Sequence, residues 1–228
     1  MKLSEAAVSK LADPASTRSL SGKARARRWE VFASTFPALR EMHVVDLGGR
    51  PEYWVNAPLR PAHVTLLNPR EEELHGALDW MTVKTGDACD PGLDLSGYDL
   101  CHANSVIEHV GGAHRRGEFA ANVAQAPRYW VQTPYRYFPI EPHFLFPGFQ
   151  LLPLRAKAWV SDHWPLAQTS ADGIEASLET ELVTRTEMRY LFPGSRLYCE
   201  RLLGLIKSIT ALKTGSEPDL VAGAPSAG

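Results

Sequence analysis

Long apolar runs, clustered cysteines and a surplus of either charge are all missing from this 228-residue chain, and each absence removes a class of function. The 3 cysteines, Cys89, Cys101 and Cys199, lie far apart and form no CxxC. That excludes a disulfide frame or a thiolate zinc site, and the three read as small buried apolar residues in a reducing compartment. Lys and Arg total 24 against 26 Asp and Glu, a formal net charge of -2. A protein that must neutralise many phosphates carries a basic surplus, so nucleic acid is not an expected partner. The one basic run, KARARR at 23–28, reads first as a solvated helix face, with anionic lipid or glycan as the other reading. No window approaches a membrane span, so stable membrane insertion is not expected. Ser4, Glu5, Ser9 and Lys10 break up the first apolar residues, unlike a secretory leader, and the expected location is the cytoplasm. There is no internal repeat, no GxGxxG for a dinucleotide and no GxSxG for a hydrolase.

What is present is a rhythm. Apolar runs bounded by Gly, Pro and Asp predict strands at 42–47 (MHVVDL), 63–68 (HVTLLN), 81–84 (MTVK), 98–103 (YDLCHA) and 128–133 (RYWVQT). Helices are expected at 70–77 and from Val106 through EFAANVAQA, the latter interrupted at Gly111-Gly112. Such alternation predicts an α/β fold with a mostly parallel sheet covered on both faces. The rhythm breaks at Pro134. The stretch 134–172, including YRYFPIEPHFLFPGF, carries too many prolines and aromatics for a solvated linker, and is expected to pack over the open end of the sheet. Thr184 and Glu187 have capping-box spacing for a helix through Leu191, stopped by Pro193-Gly194. SRLYCERL and LIKSITAL, separated by Gly204, then suggest a closing antiparallel hairpin. Residues 1–38 read as two helices broken around Asp13-Pro14 and Ser21-Gly22, and 214–228 as a disordered tail. One domain is expected over 1–213.

Ligands of open parallel sheets sit beyond the carboxyl ends of the strands. Here those ends are Asp46-Leu47-Gly48-Gly49, Asn68-Pro69, Gly86-Asp87-Ala88, Asn104-Ser105 followed by Glu108-His109, and Gln132-Thr133-Pro134. Gly48 and Gly49 let a ligand approach the backbone, and Asp46 can receive a cationic ligand group. Asn68 stands where a ribose partner would stand, and Asp87 can accept from an adenine amino group beside the Ala88 amide. Five polar strand ends in order are hard to assign to turns alone.

Through VVDLGGRPEYW, VTLLNP, GDACD, NSVIEHVGG, YWVQTPYRYFPIEPHFLFP and LFPGSRLYCERLLGLIKS, the chain resembles class I S-adenosylmethionine-dependent methyltransferases from about residue 40 to 212. The likeness is greatest to small enzymes of glycan and natural-product pathways. It implies a Rossmann-like, mostly parallel seven-stranded sheet with a C-terminal antiparallel hairpin and an acceptor-side insertion after strand 5. It also implies that the glycine segment holds the methionine moiety, the second strand end the ribose and GDA the adenine, with Asn104 and Ser105 edging the site. Two departures stand out. The usual D-x-G-x-G-x-G is reduced to DLGG, and the usual acid of the second strand is Asn68.

Methyl transfer to a hydroxyl needs alignment, exclusion of water and a base. Glu141-Pro142-His143 suits that task, because the residue before a proline is extended and positions two apart share a face. His143 is the first candidate base, Glu141 its partner, and His109 the second candidate. Alternatively, Glu108, His109, Glu141 and His143 hold Mg2+. Some ubiquinone-pathway O-methyltransferases carry a metal-associated E-V-x-E-H, although Ser105 replaces its first acid here. Tyr135, Arg136, Tyr137 and Trp164 are a candidate stacking wall or simply the insertion's core. The leading function is O-methylation of a glycan, glycolipid or small hydroxylated metabolite. N- or C-methylation of a small aromatic metabolite and a non-catalytic cofactor-binding module stay open, as does a homodimer.

Overall fold

The computed structural model describes residues 20–141, 146–164, 178 and 180–215. Its centre is a seven-stranded sheet in the order β3-β2-β1-β4-β5-β9-β8. Strands β1 (His43–Leu47), β2 (His63–Asn68), β3 (Met81–Thr85), β4 (Leu100–Asn104) and β5 (Tyr129–Pro134) run parallel. The short strands β6 (Ile140–Glu141) and β7 (Phe146–Pro147) pair with each other outside this sheet. Strands β8 (Arg196–Leu202) and β9 (Leu205–Lys213) form the expected hairpin, and β9 joins β5 antiparallel. The α/β expectation therefore holds, and the five parallel strands fall within two residues of the stretches read from sequence.

Alternation along the strands sorts side chains to two faces. Val45, Leu47, Leu67, Ala103, Val131, Ile209 and Ala211 face one way, onto helix α3 (Ala113–Val123) and helix α5 (Arg185–Leu191), which supply Phe119, Val123 and Met188. Val44, Leu66, Leu100, Trp130 and Leu212 face the other way. There they meet helix α1 (Leu20–Thr35), and Trp54 of the short helix α2 (Pro51–Val55). Trp29 and Phe32 of α1 and Phe36 just past its end fall at three- and four-residue spacing and give one aromatic stripe to the sheet. Phe32 lies 5.2 Å from the Trp130 ring and 5.5 Å from the His102 ring, edge to face in both pairs.

That stripe explains one correction. Ser21-Gly22 does not break a helix; α1 runs through it. A helical glycine costs about 1 kcal/mol against alanine, less than the burial of a single aromatic returns. The break expected at Asp13-Pro14 lies outside the described residues, as does most of the tail. A second correction concerns 70–77, where only a single tight turn forms at Glu71–Leu74. Leu74 is its one buried anchor, and Gly76 turns left-handed with φ 85. One apolar contact does not offset nucleation of a longer helix.

The other punctuation reads less evenly. The helical start expected at Val106 does not form, and helix α3 begins only after Gly111-Gly112; Thr184 and Glu187 form a complete capping box at the start of α5. Between β7 and α5, helix α4 (Leu154–His163) packs Val160 against Phe149 in a small separate core with Phe146, Leu152 and Trp164. The chain then returns along the sheet end. Glu181 donates its N–H to the Glu108 carbonyl, and Tyr135 bridges to Val183 in parallel.

Candidate active site

The order of connections creates the crevice. The chain steps outward from β1 to β2 to β3, then crosses back to place β4 on the other side of β1. At this reversal the connections leaving β1 and β4 run to helices on opposite faces of the sheet, which is where α/β sheets admit ligands. Gly48 leaves β1 with φ 67, and its N–H donates to the Leu67 carbonyl at 2.7 Å. A Cβ at Gly48 would come within 2.6 Å of Val106 in the segment after β4. The two loops are therefore in contact, and Gly48 is required by both its backbone angle and that approach.

Asp46 does not stand open beside them. It is 2 % exposed. One carboxylate oxygen accepts from the Trp54 indole at 2.8 Å, and the other meets His102 Nδ1 at 2.7 Å. His102 Nε2 lies 3.3 Å from the Tyr53 hydroxyl. Burial pushes that phenol well above its ordinary range, the Asp46 charge adds to the effect, and Arg28 opposes it. Tyr53 in turn stacks on Trp29 of α1. Asp46 is thus the hub of a buried network that ties β1, β4, α2 and α1 together, and its oxygens are consumed within the protein. Gly49 follows from the same arrangement, since a Cβ there would fall 2.3 Å from the Asp46 carboxylate.

Asn68 plays a related part. Its amide donates to the Gly48 and Gly49 carbonyls at 3.4 and 3.3 Å, and to Glu73 at 3.1 Å. Its own oxygen accepts the Arg70 N–H. So Asn68 clamps the glycine loop onto β2. The charge missing from this strand end is carried by Glu73, paired with Arg50 at 2.7 Å and Arg70 at 3.4 Å. Burial alone would raise the Glu73 carboxyl, but the Asn68 and Arg50 hydrogen bonds outweigh it and hold it below its ordinary range.

Asp87 caps the Cys89 N–H and binds Arg115 through both oxygens, at 2.9 and 2.7 Å. Those bonds overcome its burial and depress its pKa. About half of the side chain stays exposed, and Ala88 beside it is buried. On the opposite side of the crevice, Asn104 accepts from Arg28 at 3.2 Å. Ser105 takes φ 58, unusual for a side-chain-bearing residue, and its N–H donates to the Gln132 carbonyl. Such backbone strain, of order 1–3 kcal/mol, gathers at functional sites.

Glu108 and His109 part company. Glu108 is 1 % exposed and accepts from Thr133 at 3.0 Å, whereas His109 is exposed and lies 3.5 Å from the Thr180 hydroxyl. No group of three or more His, Cys, Asp or Glu among the described residues is placed to hold a metal ion. Glu108 faces the core, and the Mg2+ reading that joined it to His109, Glu141 and His143 loses a ligand to the interior. His143 lies outside the described residues, and Glu141 is placed only by its backbone in β6. The candidate stacking wall also divides. Tyr135 and Tyr137 meet edge to face at 5.6 Å, while Trp164 packs on Phe146 in the insertion's own core.

No family model and no curated protein matches the sequence. Solved structures do match it. An S-adenosylmethionine-dependent methyltransferase from Mesorhizobium loti aligns over 81% of this chain and 96% of its own, with TM-score 0.55 and 14% identity. A putative S-adenosylmethionine-dependent methyltransferase from Listeria monocytogenes aligns over 85% and 100%, with TM-score 0.53 and 11% identity. The fold is that of class I S-adenosylmethionine-dependent methyltransferases. A structure described as a putative zinc-dependent alcohol dehydrogenase from Rhodobacter sphaeroides also aligns, over 82% and 87%, with TM-score 0.55 and 13% identity. At these identities the likeness is one of fold, so chemistry must be argued from side chains. The loop after β1 has two adjacent glycines and no G-x-G-x-x-G, and helix α2 beyond it spans only Pro51–Val55. No helix among the described residues is long and apolar enough to cross a membrane.

Several of these residues were missed in the sequence. Sequence reading gave no role in this network to His102, Tyr53, Trp54, Glu73 or Arg28, although Arg28 ends the KARARR run and Tyr53 and Trp54 end VVDLGGRPEYW. For His102 a signal existed: in LCHAN the alternate positions are His102 and Asn104, opposite the apolar Cys101 and Ala103. A polar face inside a central parallel strand asks for a buried partner.

Proposed function

We propose that this chain is an S-adenosylmethionine-dependent O-methyltransferase acting on a hydroxyl of a glycan, glycolipid or small metabolite in the cytoplasm. The observation that carries the reading is the contact between the left-handed Gly48 turn and the segment after β4, where the strand order reverses between β3 and β4. The methionine moiety of the cofactor would lie at this turn. Gly48, Gly49, Asn104 and Ser105 would border that moiety, Asn68 and Glu73 the ribose, and Asp87 and Ala88 the adenine. Asp46 acts by shaping the loop from beneath.

The bound cofactor supplies an electrophilic methyl group, and the protein supplies the rest. The strand ends hold donor and acceptor in line. The insertion at 134–172 excludes water and selects the acceptor. A base from that insertion, His143 oriented by Glu141, takes the hydroxyl proton, with His109 at the exposed rim as the second candidate.

The test is purified full-length protein incubated with S-adenosylmethionine and a fractionated metabolite extract. The expected result is a product one methyl heavier than a hydroxylated precursor, with the mass gain on oxygen. Methylation of nitrogen or carbon would move the acceptor class. Cofactor binding without turnover on any fraction would favour a non-catalytic module.

A further inference from the structure

The polar row on the α1 face of the sheet does not end at Asn104. The Arg28 guanidinium spans from Asn104 on β4 to Glu200 on β8, meeting the carboxylate at 3.1 and 3.3 Å. Lys207 approaches the same carboxylate at 3.8 Å. It does so because the β8–β9 ladder slips. Glu200 opposes Ser208 and Arg201 opposes Ile206, so Lys207 is the extra residue of a bulge. Regular alternation would send Lys207 to the face of Ile209, away from Glu200. The bulge re-aims it onto the face of Glu200 and Ser208, a use bulges serve beside functional sites. The Tyr135 N–H holds the bulge in place by donating to the Lys207 carbonyl at 2.9 Å.

The charges in this corner do not balance. Arg28, Lys207 and Glu200 side chains are 15%, 26% and 6% exposed. Glu200 is the one carboxylate among the described residues within ion-pair reach of either cation. Arg28's other partner, Asn104, is neutral. Burial holds the Lys207 ammonium below its ordinary range; Glu200 opposes that shift, and Arg28 and Arg25 add to it. Ser208 is 3% exposed, and its buried hydroxyl has no hydrogen-bond partner among the described residues. Two cations sharing one anion beside an idle hydroxyl donor form a site short of one negative charge.

We propose that Arg28, Lys207 and Ser208 form an oxyanion subsite for the methyl acceptor, which therefore carries a carboxylate or phosphate group. This rests on the methyltransferase reading above. In strand order the subsite lies beyond β4 from the glycine loop, over β5, β9 and β8, and so on the acceptor side of the crevice. Arg28 spends three of its five N–H donors on Glu200 and Asn104 and keeps two for an oxyanion, Lys207 supplies a point charge and Ser208 one hydroxyl donor.

The probe is inorganic phosphate, titrated by calorimetry into full-length protein saturated with S-adenosylhomocysteine, against chloride at matched ionic strength. Saturable phosphate binding is expected. Lys207→Met should weaken it about tenfold or more and Ser208→Ala several-fold, with S-adenosylhomocysteine affinity within about twofold of wild type. No saturable binding, or equal binding by Lys207→Met, overturns the proposal. Phosphate binding that appears in the bare chain and vanishes on cofactor loading also overturns it, since the cluster would then serve the cofactor's own carboxylate. If S-adenosylhomocysteine fails to bind at all, the methyltransferase reading falls, and with it the acceptor assignment; phosphate binding to the bare chain would then support an anion site only.

Discussion

Asp46→Ala is expected to destabilise the protein by roughly 3–5 kcal/mol, the cost of stranding two buried polar groups that now meet one carboxylate. The Trp54 indole and His102 Nδ1 both end on Asp46, and none of the three side chains has water to turn to. The loss spreads because the network joins α2 to β4 and, through the Tyr53 stack on Trp29, to α1. Tyr53→Phe removes only the hydroxyl at 3.3 Å from His102 and should cost about 1 kcal/mol. Urea unfolding followed by tryptophan fluorescence measures both. An Asp46→Ala midpoint equal to wild type, with S-adenosylmethionine affinity lost, would return Asp46 to the role of a direct ligand.

The largest expected effect on rate belongs to His143. If it is the general base, His143→Ala lowers turnover by roughly 10²–10⁴, the usual worth of a positioned base, and leaves cofactor affinity nearly unchanged. The wild-type rate should rise with pH through one ionisation in the histidine range, because only the neutral imidazole can take a proton, and the variant should lose that limb. Glu141→Gln should cost less, since it keeps the side chain's size and removes only its charge. His109→Ala separates the second candidate. Full activity in both histidine variants, with no loss on adding chelator, would mean that the acceptor needs no deprotonation, as an amine would not.

Much of the architecture was legible because parallel strands buried on both faces leave continuous apolar runs, and VVDL, HVTLL and YWVQT are such runs. The capping box at Thr184 was legible because it is a complete signal within a few residues, whereas Gly111-Gly112 marks the start of a helix and not a break within one begun at Val106. The tight turn at Glu71–Leu74 was misread because a helix there depended on tertiary anchors the segment lacks. Site residues divide along the same line. The glycines and polar strand ends could be found by position in the chain. Their roles could not, since an exposed acid and a buried one look alike in sequence. Asp46 is decided by Trp54 eight residues later and by His102 across the sheet. Asn68 is decided by Glu73, which restores the missing charge from the next turn. Lys207 is reached only through a register slip that no periodicity announces.

Calorimetric titration of the full-length protein with S-adenosylmethionine, and separately with NAD, tests the central claim most directly. On the proposed reading the glycine loop borders the methionine moiety, and the short α2 offers no long helix N-terminus for a pyrophosphate. S-adenosylmethionine should bind at one site with Kd on the order of micromolar, near -8 kcal/mol, and NAD should give no saturable heat. Saturable NAD binding with none for S-adenosylmethionine would contradict the account at its root.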